Sequence, residues 1–396
     1  MRDPTWSESF DVAVVGGGPA GLTAAIAIAA KGARVALIAR KIPYRDNRTT
    51  ALLDASVEIL RNLDIWDRCA DHAAPLRRMR LVDDTGRLIR SPEVHFDCDE
   101  IGLEAFGYNI ENRILVETLE GRASTLAGLI RFDDHAATIE TDAAAGRIVT
   151  GQGLQIEASL IVGADGRQSP CRTAAGISVH SRATGQSAIA FNIVHERPHN
   201  GVSTEFHTAA GPCVFVPLPG SRSSVVWVMR TEDAERIMSL SADEFTAAVT
   251  RQSHHHLGRL TVDPERHVFP LAFEQASALA ARRVALVGEA AHVLPPIGAQ
   301  GLNLGIRDAA DIAKVIDEAR AFGDDPGAEA SLARYRNLRR LDVQGRMTVV
   351  GLANGTLLSD FLPVQAARAL GMQLLQHVGP LRRFAMRQAI APSARA

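Results

Sequence analysis

The segment Gly16-Gly17-Gly18-Pro19-Ala20-Gly21 lies between a β-branched run from Phe10 to Val15 and an Ala-rich stretch ending at Ala30, and it constrains this chain more than any other feature. Glycines at 16, 18 and 21 allow a tight turn, a backbone that can touch a pyrophosphate, and close packing of a helix on its strand. Such a turn aims the free amides of a helix N-terminus at phosphate. With Gly32 and a second apolar run from Arg34 to Ala39, the order reads strand, turn, helix, parallel strand. A purely structural glycine turn is the plainer reading, and the flanking strand and helix favour nucleotide binding over it. The strand-end position that usually carries an acid for the adenosine ribose holds Ala39, followed by Arg40. Arg40 is therefore assigned either to the adenine side or to the solvated surface.

The rest of the chain reads as a large α/β body with a second lobe. A polar, alternating stretch at 73–104 predicts a first excursion into that lobe, and short strands separated by Gly, Pro and Ser turns across 181–277 predict its main antiparallel sheet. The first lobe then comprises 1–72, 105–180 and 278–345, with a helical C-terminal region at 346–396. Lys+Arg 43 against Asp+Glu 45 gives no basic excess, which argues against a nucleic-acid partner. Cys69, Cys98, Cys171 and Cys213 are scattered, with no zinc-like spacing, and imply a reduced, cytoplasmic setting. The N-terminus, with Asp3 and Glu8, lacks a signal-peptide pattern, and no segment reaches the roughly 18 apolar residues of a spanning helix.

Two further motifs carry chemistry. Gly163-Ala164-Asp165-Gly166, after a strand, is either a turn that offers Asp165 to cofactor hydroxyls or an ordinary strand-to-helix turn capped by Ser169. The segment from Gly288-Glu289 through His292, Pro295-Pro296, Gly298 and Gly301-Leu302-Asn303 places an acid at a strand end, a stiff loop, and a second helix N-terminus with free amides. Those amides suit an anionic centre such as a reduced flavin.

The three motifs, in this order, resemble those of the class A flavoprotein monooxygenases, the group of para-hydroxybenzoate hydroxylase. Within that group, Arg48-Thr49-Thr50-Ala51-Leu52 following Asp46, Asn112-Arg113-Ile114-Leu115, Gly211-Pro212 with Pro217-Leu218, and the run Gly298 to Gly305 are similar to the ubiquinone-biosynthesis hydroxylases. The resemblance spans almost the whole chain. It implies a Rossmann-like FAD-binding domain with an inserted antiparallel β-sheet substrate domain and C-terminal helices. It also implies that Gly16, Gly18 and Gly21 meet the FAD pyrophosphate, that Arg48 and Arg113 approach the cofactor, and that Asp165 sits near pyrophosphate and ribose; Pro19 and Ala20 of the same turn, and Arg40, are further cofactor-binding candidates. Glu289, where the group usually has Asp, would hold the ribitol. Pro296 and Gly298 would shape the loop whose following amides, at Gly301, Leu302 and Asn303, face the flavin.

The activity so implied is hydroxylation of a polyprenylated phenol with O2 through a flavin C4a-hydroperoxide, after transient reduction by NAD(P)H, since only one dinucleotide fingerprint is present. Alternatives are a hydroxylase of a small soluble aromatic acid, a flavin reductase of prenyl double bonds, or a non-catalytic flavoprotein subunit of a biosynthetic assembly. No side chain is singled out as catalytic. His292 is expected to orient its loop, and His254-His255-His256 to form a solvated loop or helix end and not a metal site. Phe191, Phe215 and Trp227 either wall the substrate channel or pack the core. Apolar residues from Val364 to Leu381, with arginines nearby, favour packing on the FAD domain over docking on an anionic membrane. A peripheral place on the inner face of the cell membrane, and a homo-oligomer or biosynthetic complex, stay open.

Overall fold

The computed structural model describes residues 8–41, 47–359 and 361–390, so Asp3 and Asp46 lie outside the described residues. Its first sheet is built around the strand Glu8–Val15, flanked in parallel by Gln155–Gly163 and Val35–Ile38. Val284–Leu286 and Leu129–Phe132 extend it in parallel on either side. All four residues of Val35–Ile38 are buried, as expected of a strand with helices on both faces. The helix Pro19–Ala29 is buried from Gly21 onward. Leu22, Ile26 and Ile28 each lose essentially all their accessible surface, which stabilises the layer by roughly 1.5–3 kcal/mol per side chain. Two strands that the sequence pattern did not resolve, Ala136–Thr141 and Gly146–Thr150, add an antiparallel flap to Gln155–Gly163.

The second sheet has eight strands, in the order His292–Val293, Leu260–Ala276, Val179–His195, Arg222–Arg230, Gly211–Leu218, Val202–Thr208, Arg78–Asp83 and Val94–Asp97. Its pairings are antiparallel except for one: Val202–Thr208 runs parallel to Arg78–Asp83, because the latter arrives from the separate early excursion. A small third sheet joins Thr49–Leu53, Gly107–Glu111 and Ala74–Pro75 between the lobes.

On one face of the second sheet Ile189, Phe191, Phe215, Val225 and Trp227 pack with Ala234, Ile237, Phe245 and Val249 from the helices Thr231–Met238 and Ala242–Gln252. Of the two roles considered for Phe191, Phe215 and Trp227, the structure gives core packing. The histidine tract splays: His254 pairs with Asp84 at 3.0 Å, His255 is exposed, and the His256 ring packs against Phe206 and Phe215, so His256 is not a solvated residue.

Helices Gln300–Phe322 and Glu329–Leu358 complete the first lobe, and the second of them runs across residue 346 without a break. The last two, Leu362–His377 and Gly379–Ile390, overturn the packing favoured from sequence. They dock mainly on the second lobe, through Arg368 to Asp83 at 2.8 Å, Arg382 to Glu100 at 2.7 Å, and Met386 beside Cys98 and Phe106, while the Ala389 carbonyl accepts from Arg346 of Glu329–Leu358 at 2.7 Å. The charged contacts capture these helices at the hairpin edge, and Phe361, Leu370, Leu374, Leu381 and Phe384 stay exposed. No single helix among the described residues is long and apolar enough to cross a membrane.

Candidate functional site

Close backbone approaches bring the three glycine motifs together. Gly16 has φ +117°, and a methyl group added there would lie 2.1 Å from the Ala164 carbonyl oxygen and 2.9 Å from the Asp165 amide nitrogen. A methyl on Gly21 would lie 2.1 Å from the Gly16 carbonyl oxygen. Ala20 fills the space between the third motif and its helix, since methyls on Gly288 and Gly305 would lie 3.1 and 3.0 Å from its Cβ. The first helix, the Asp165 turn and the helix Gln300–Phe322 thus converge because these positions carry no side chain.

Around that convergence several groups lack protein partners. The helix Pro19–Ala29 starts at Gly18 with no side-chain cap and no acid in its first turn. Gly18 is exposed, and a methyl on it would meet nothing within 4 Å. The helix Gln300–Phe322 likewise has no side-chain cap and no acid in its first turn, and Gly301 is equally open. Asp165 accepts from the Cys171 amide at 2.9 Å through Oδ2, while its buried Oδ1 has no partner. Two uncapped helix N-termini and an orphaned carboxylate oxygen beside glycine-lined space fit a dinucleotide carrying phosphates and hydroxyls.

The remaining expected residues are spread along this seam. Arg40 and Glu289 are exposed, and Glu289 lies on the turn Gly288–Ala290. Arg48 places its guanidinium 5.1 Å from the Phe269 ring centroid, at the seam between the lobes. Arg113 is half-exposed and pairs with Glu117 at 3.2 Å. Pro296 and Gly298 precede Ala299, which takes the left-handed φ of +53° as the helix opens. The Asn303 side chain is turned away from the open end: its Oδ1 accepts from the Leu53 amide at 2.9 Å and its Nδ2 donates to the Ala51 carbonyl at 2.8 Å. It staples the helix to the strand Thr49–Leu53, a tertiary role with no local signal.

His292 orients its loop, as expected, and its partner is Asp308 on the helix Gln300–Phe322. Its Nε2 lies 2.7 Å from Asp308 Oδ2, which also accepts from the Gly288 amide at 3.0 Å. Arg339 Nε donates to the other Asp308 oxygen at 2.7 Å. Burial alone would raise the Asp308 pKa, but the adjoining His292 and Arg339 hold its carboxyl well below the usual carboxylate range. Arg339 comes from the distant helix Glu329–Leu358, so only the fold reveals this partner.

Opposite the seam, register pairs Ala188 with Val228, Ala190 with Val226, Asn192 with Ser224, and Val214 with Val226. Paired residues share a face. Asn192 Nδ2 donates to the Asn47 carbonyl at 2.9 Å, and Ser224 Oγ accepts from Thr49 Oγ1 at 2.8 Å, so this face looks toward the first lobe. Between those polar anchors and the Asn354 to Gln186 contact at 3.2 Å, the two central strands carry small apolar side chains, of which Ala190, Val214 and Val226 retain partial exposure, and Phe269 and His267 pair beside Ala188 and Ala190 on the same face. Of the two described tyrosines, Tyr335 is fully buried and Tyr108 packs against Trp66.

A Rossmann-type lobe with an inserted β lobe and a seam of uncapped helix ends defines a flavoprotein. The chain belongs to the FAD binding domain family, which it matches over residues 9–347. It is 34% identical to a ubiquinone hydroxylase, UbiL, of Rhodospirillum rubrum, over 96% of this chain and 89% of the relative. It is 28% identical to the 3-demethoxyubiquinol 3-hydroxylase of Escherichia coli, over 97% and 99%. In fold it is similar to the p-nitrophenol 4-monooxygenase PnpA of Pseudomonas putida, with a TM-score of 0.79 at 18% identity, over 96% of this chain and 98% of that one.

Proposed function

We propose that this chain is an FAD-dependent monooxygenase that hydroxylates the aromatic ring of a polyprenylated phenol in ubiquinone biosynthesis, with NAD(P)H as a transient reductant. The observation that supports the substrate class is the row of apolar side chains Ala188, Ala190, Val214, Val226 and Val228, with the Phe269 ring paired beside Ala188 on the same face. A prenylated ring needs shape and apolar contact, which this face supplies.

In this reading Gly16, Gly18, Pro19, Ala20 and Gly21 approach the pyrophosphate, and Asp165 Oδ1 accepts from a cofactor hydroxyl. Glu289 reaches the ribitol, while Arg48 and Arg113 approach from the seam between the lobes and Arg40 from the adenosine end. The amides of Gly301, Leu302 and Asn303, behind Pro296 and Gly298, stabilise negative charge on the ring system. Bound FAD supplies the redox chemistry that activates O2. The protein's own residues hold the phenol against the seam and exclude water from it. Residues 73–104 and 181–277 form the substrate lobe. Exposed Leu370, Leu374, Leu381 and Phe384, with Arg383 and Arg387 on the same helices, dock on an anionic membrane face where a polyprenyl substrate resides.

The test is quinone extraction from bacterial strains that each lack one ring hydroxylase, after this chain is supplied. Restored ubiquinone in one strain is the expected result and identifies the carbon. Absence of rescue in every strain, with folded FAD-loaded protein present, would contradict the substrate class and favour a small soluble aromatic.

A further inference from the structure

Ala39 follows the strand Val35–Ile38 at the place where an acid usually meets the adenosine ribose. What stands there instead is Arg131, from the neighbouring parallel strand Leu129–Phe132. Its Nη2 donates to the Ala39 carbonyl at 3.1 Å. A methyl placed on Gly17 would lie 3.7 Å from the same nitrogen, so the guanidinium stands at the mouth of the glycine turn. Its Nη1 is held by both carboxylate oxygens of Glu120, at 2.5 and 2.6 Å. Glu120 comes from the helix Asn112–Ala123, outside the three motifs. The pair is partly buried, with side chains 20% and 21% exposed, so it is screened less than a surface pair yet remains reachable. Arg131 Nε is buried with no partner.

We infer that Glu120 supplies the carboxylate missing at Ala39, and that Arg131 positions it at the adenosine ribose of FAD. Each Glu120 oxygen accepts from Nη1 and retains a lone pair, so the carboxylate can take hydrogen bonds from two neighbouring hydroxyls. The small residue at 39 is part of the arrangement. A methyl on Gly17 would lie only 2.8 Å from the Ala39 Cβ, so turn and strand end are pressed together and the guanidinium has room beside them. The inference rests on the FAD pyrophosphate lying at the Gly16 to Gly21 turn and concerns only the adenosine half.

The experiment titrates the full-length apoprotein, by flavin fluorescence, with FAD and with its 2′,3′-dideoxyadenosine analogue. The wild type is expected to bind FAD about tenfold more tightly than the analogue, as fits a hydrogen bond to a charged group. In Glu120→Gln that preference falls to within about twofold, and in Ala39→Glu/Glu120→Gln it returns because a carboxylate again faces the ribose. A Glu120→Gln protein that keeps the full preference, or a wild type with none, would overturn the inference. If Glu120→Gln does not fold, Glu120→Asp decides the matter: a preference well below that of the wild type, as the shorter carboxylate withdraws from the ribose, supports the inference, and an undiminished preference contradicts it. A wild type that binds neither cofactor would overturn the inference together with the reading beneath it.

Discussion

The two helix N-termini at the seam share one deficiency and reach it by different routes. Pro19–Ala29 and Gln300–Phe322 both begin without a side-chain cap or an acid in the first turn. The first is set by close backbone contact at glycines and by Pro19 in its first turn: Gly18 is extended at φ −73°, Gly21 abuts the Gly16 carbonyl, and Gly16 abuts the Ala164 carbonyl of the second motif. The second opens through Ala299 in the left-handed region and is held by Asn303 and by the buried Asp308 group. A helix end can therefore be kept free for a ligand by bare backbone contact or by side-chain staples, and only the glycines that permit the first are grouped in contiguous residues.

Substitutions can break this contrast, beginning with the largest expected loss. Gly16→Val should cost about 4 kcal/mol or more, because it forces a side chain into the Ala164 carbonyl at a positive φ; urea unfolding of the apoprotein measures it. Asp308→Asn should cost about 2–3 kcal/mol by removing the carboxylate that Arg339, His292 and the Gly288 amide share, while Arg339 keeps Asp342 at 2.9 Å and Asp311 at 3.0 Å. The pH dependence has a defined sign. Because the folded Asp308 pKa is depressed, its contribution is present above the ordinary carboxylate range and is lost as pH falls through and below that range. Acid titration of stability should accordingly be shallower in Asp308→Asn than in the wild type. Asn303→Ala should cost about 1–3 kcal/mol, since the buried Leu53 amide loses its acceptor; thermal unfolding checks it. Leu370→Glu with Phe384→Glu should leave stability within about 0.5 kcal/mol. The same pair should reduce binding to anionic vesicles, and unchanged vesicle binding would remove the membrane face from the account.

The same contrast explains what was legible in the sequence. The strand, turn and helix around Gly16 to Gly21 follow from local sterics, and they appear in the structure within a residue or two. The Asn303 staple and the Arg339 contact were not legible, because each joins residues far apart in sequence. Phe191, Phe215 and Trp227 fit two roles from sequence because alternation fixes which residues share a face but not which lobe that face meets. The C-terminal helices show a further limit. Their apolar stripe was read as a packing face for the first lobe, whereas Arg368 and Arg382 pin them to acids of the second.

The most direct test of the seam as the FAD site is the flavin content and unfolding free energy of purified Gly18→Val, compared with Gly301→Val. Both positions are open, so each variant should fold within about 0.5 kcal/mol of the wild type and yet be colourless, because the new side chain fills space that the cofactor needs. Stable variants that retain a full complement of yellow flavin would contradict the assignment of both helix ends.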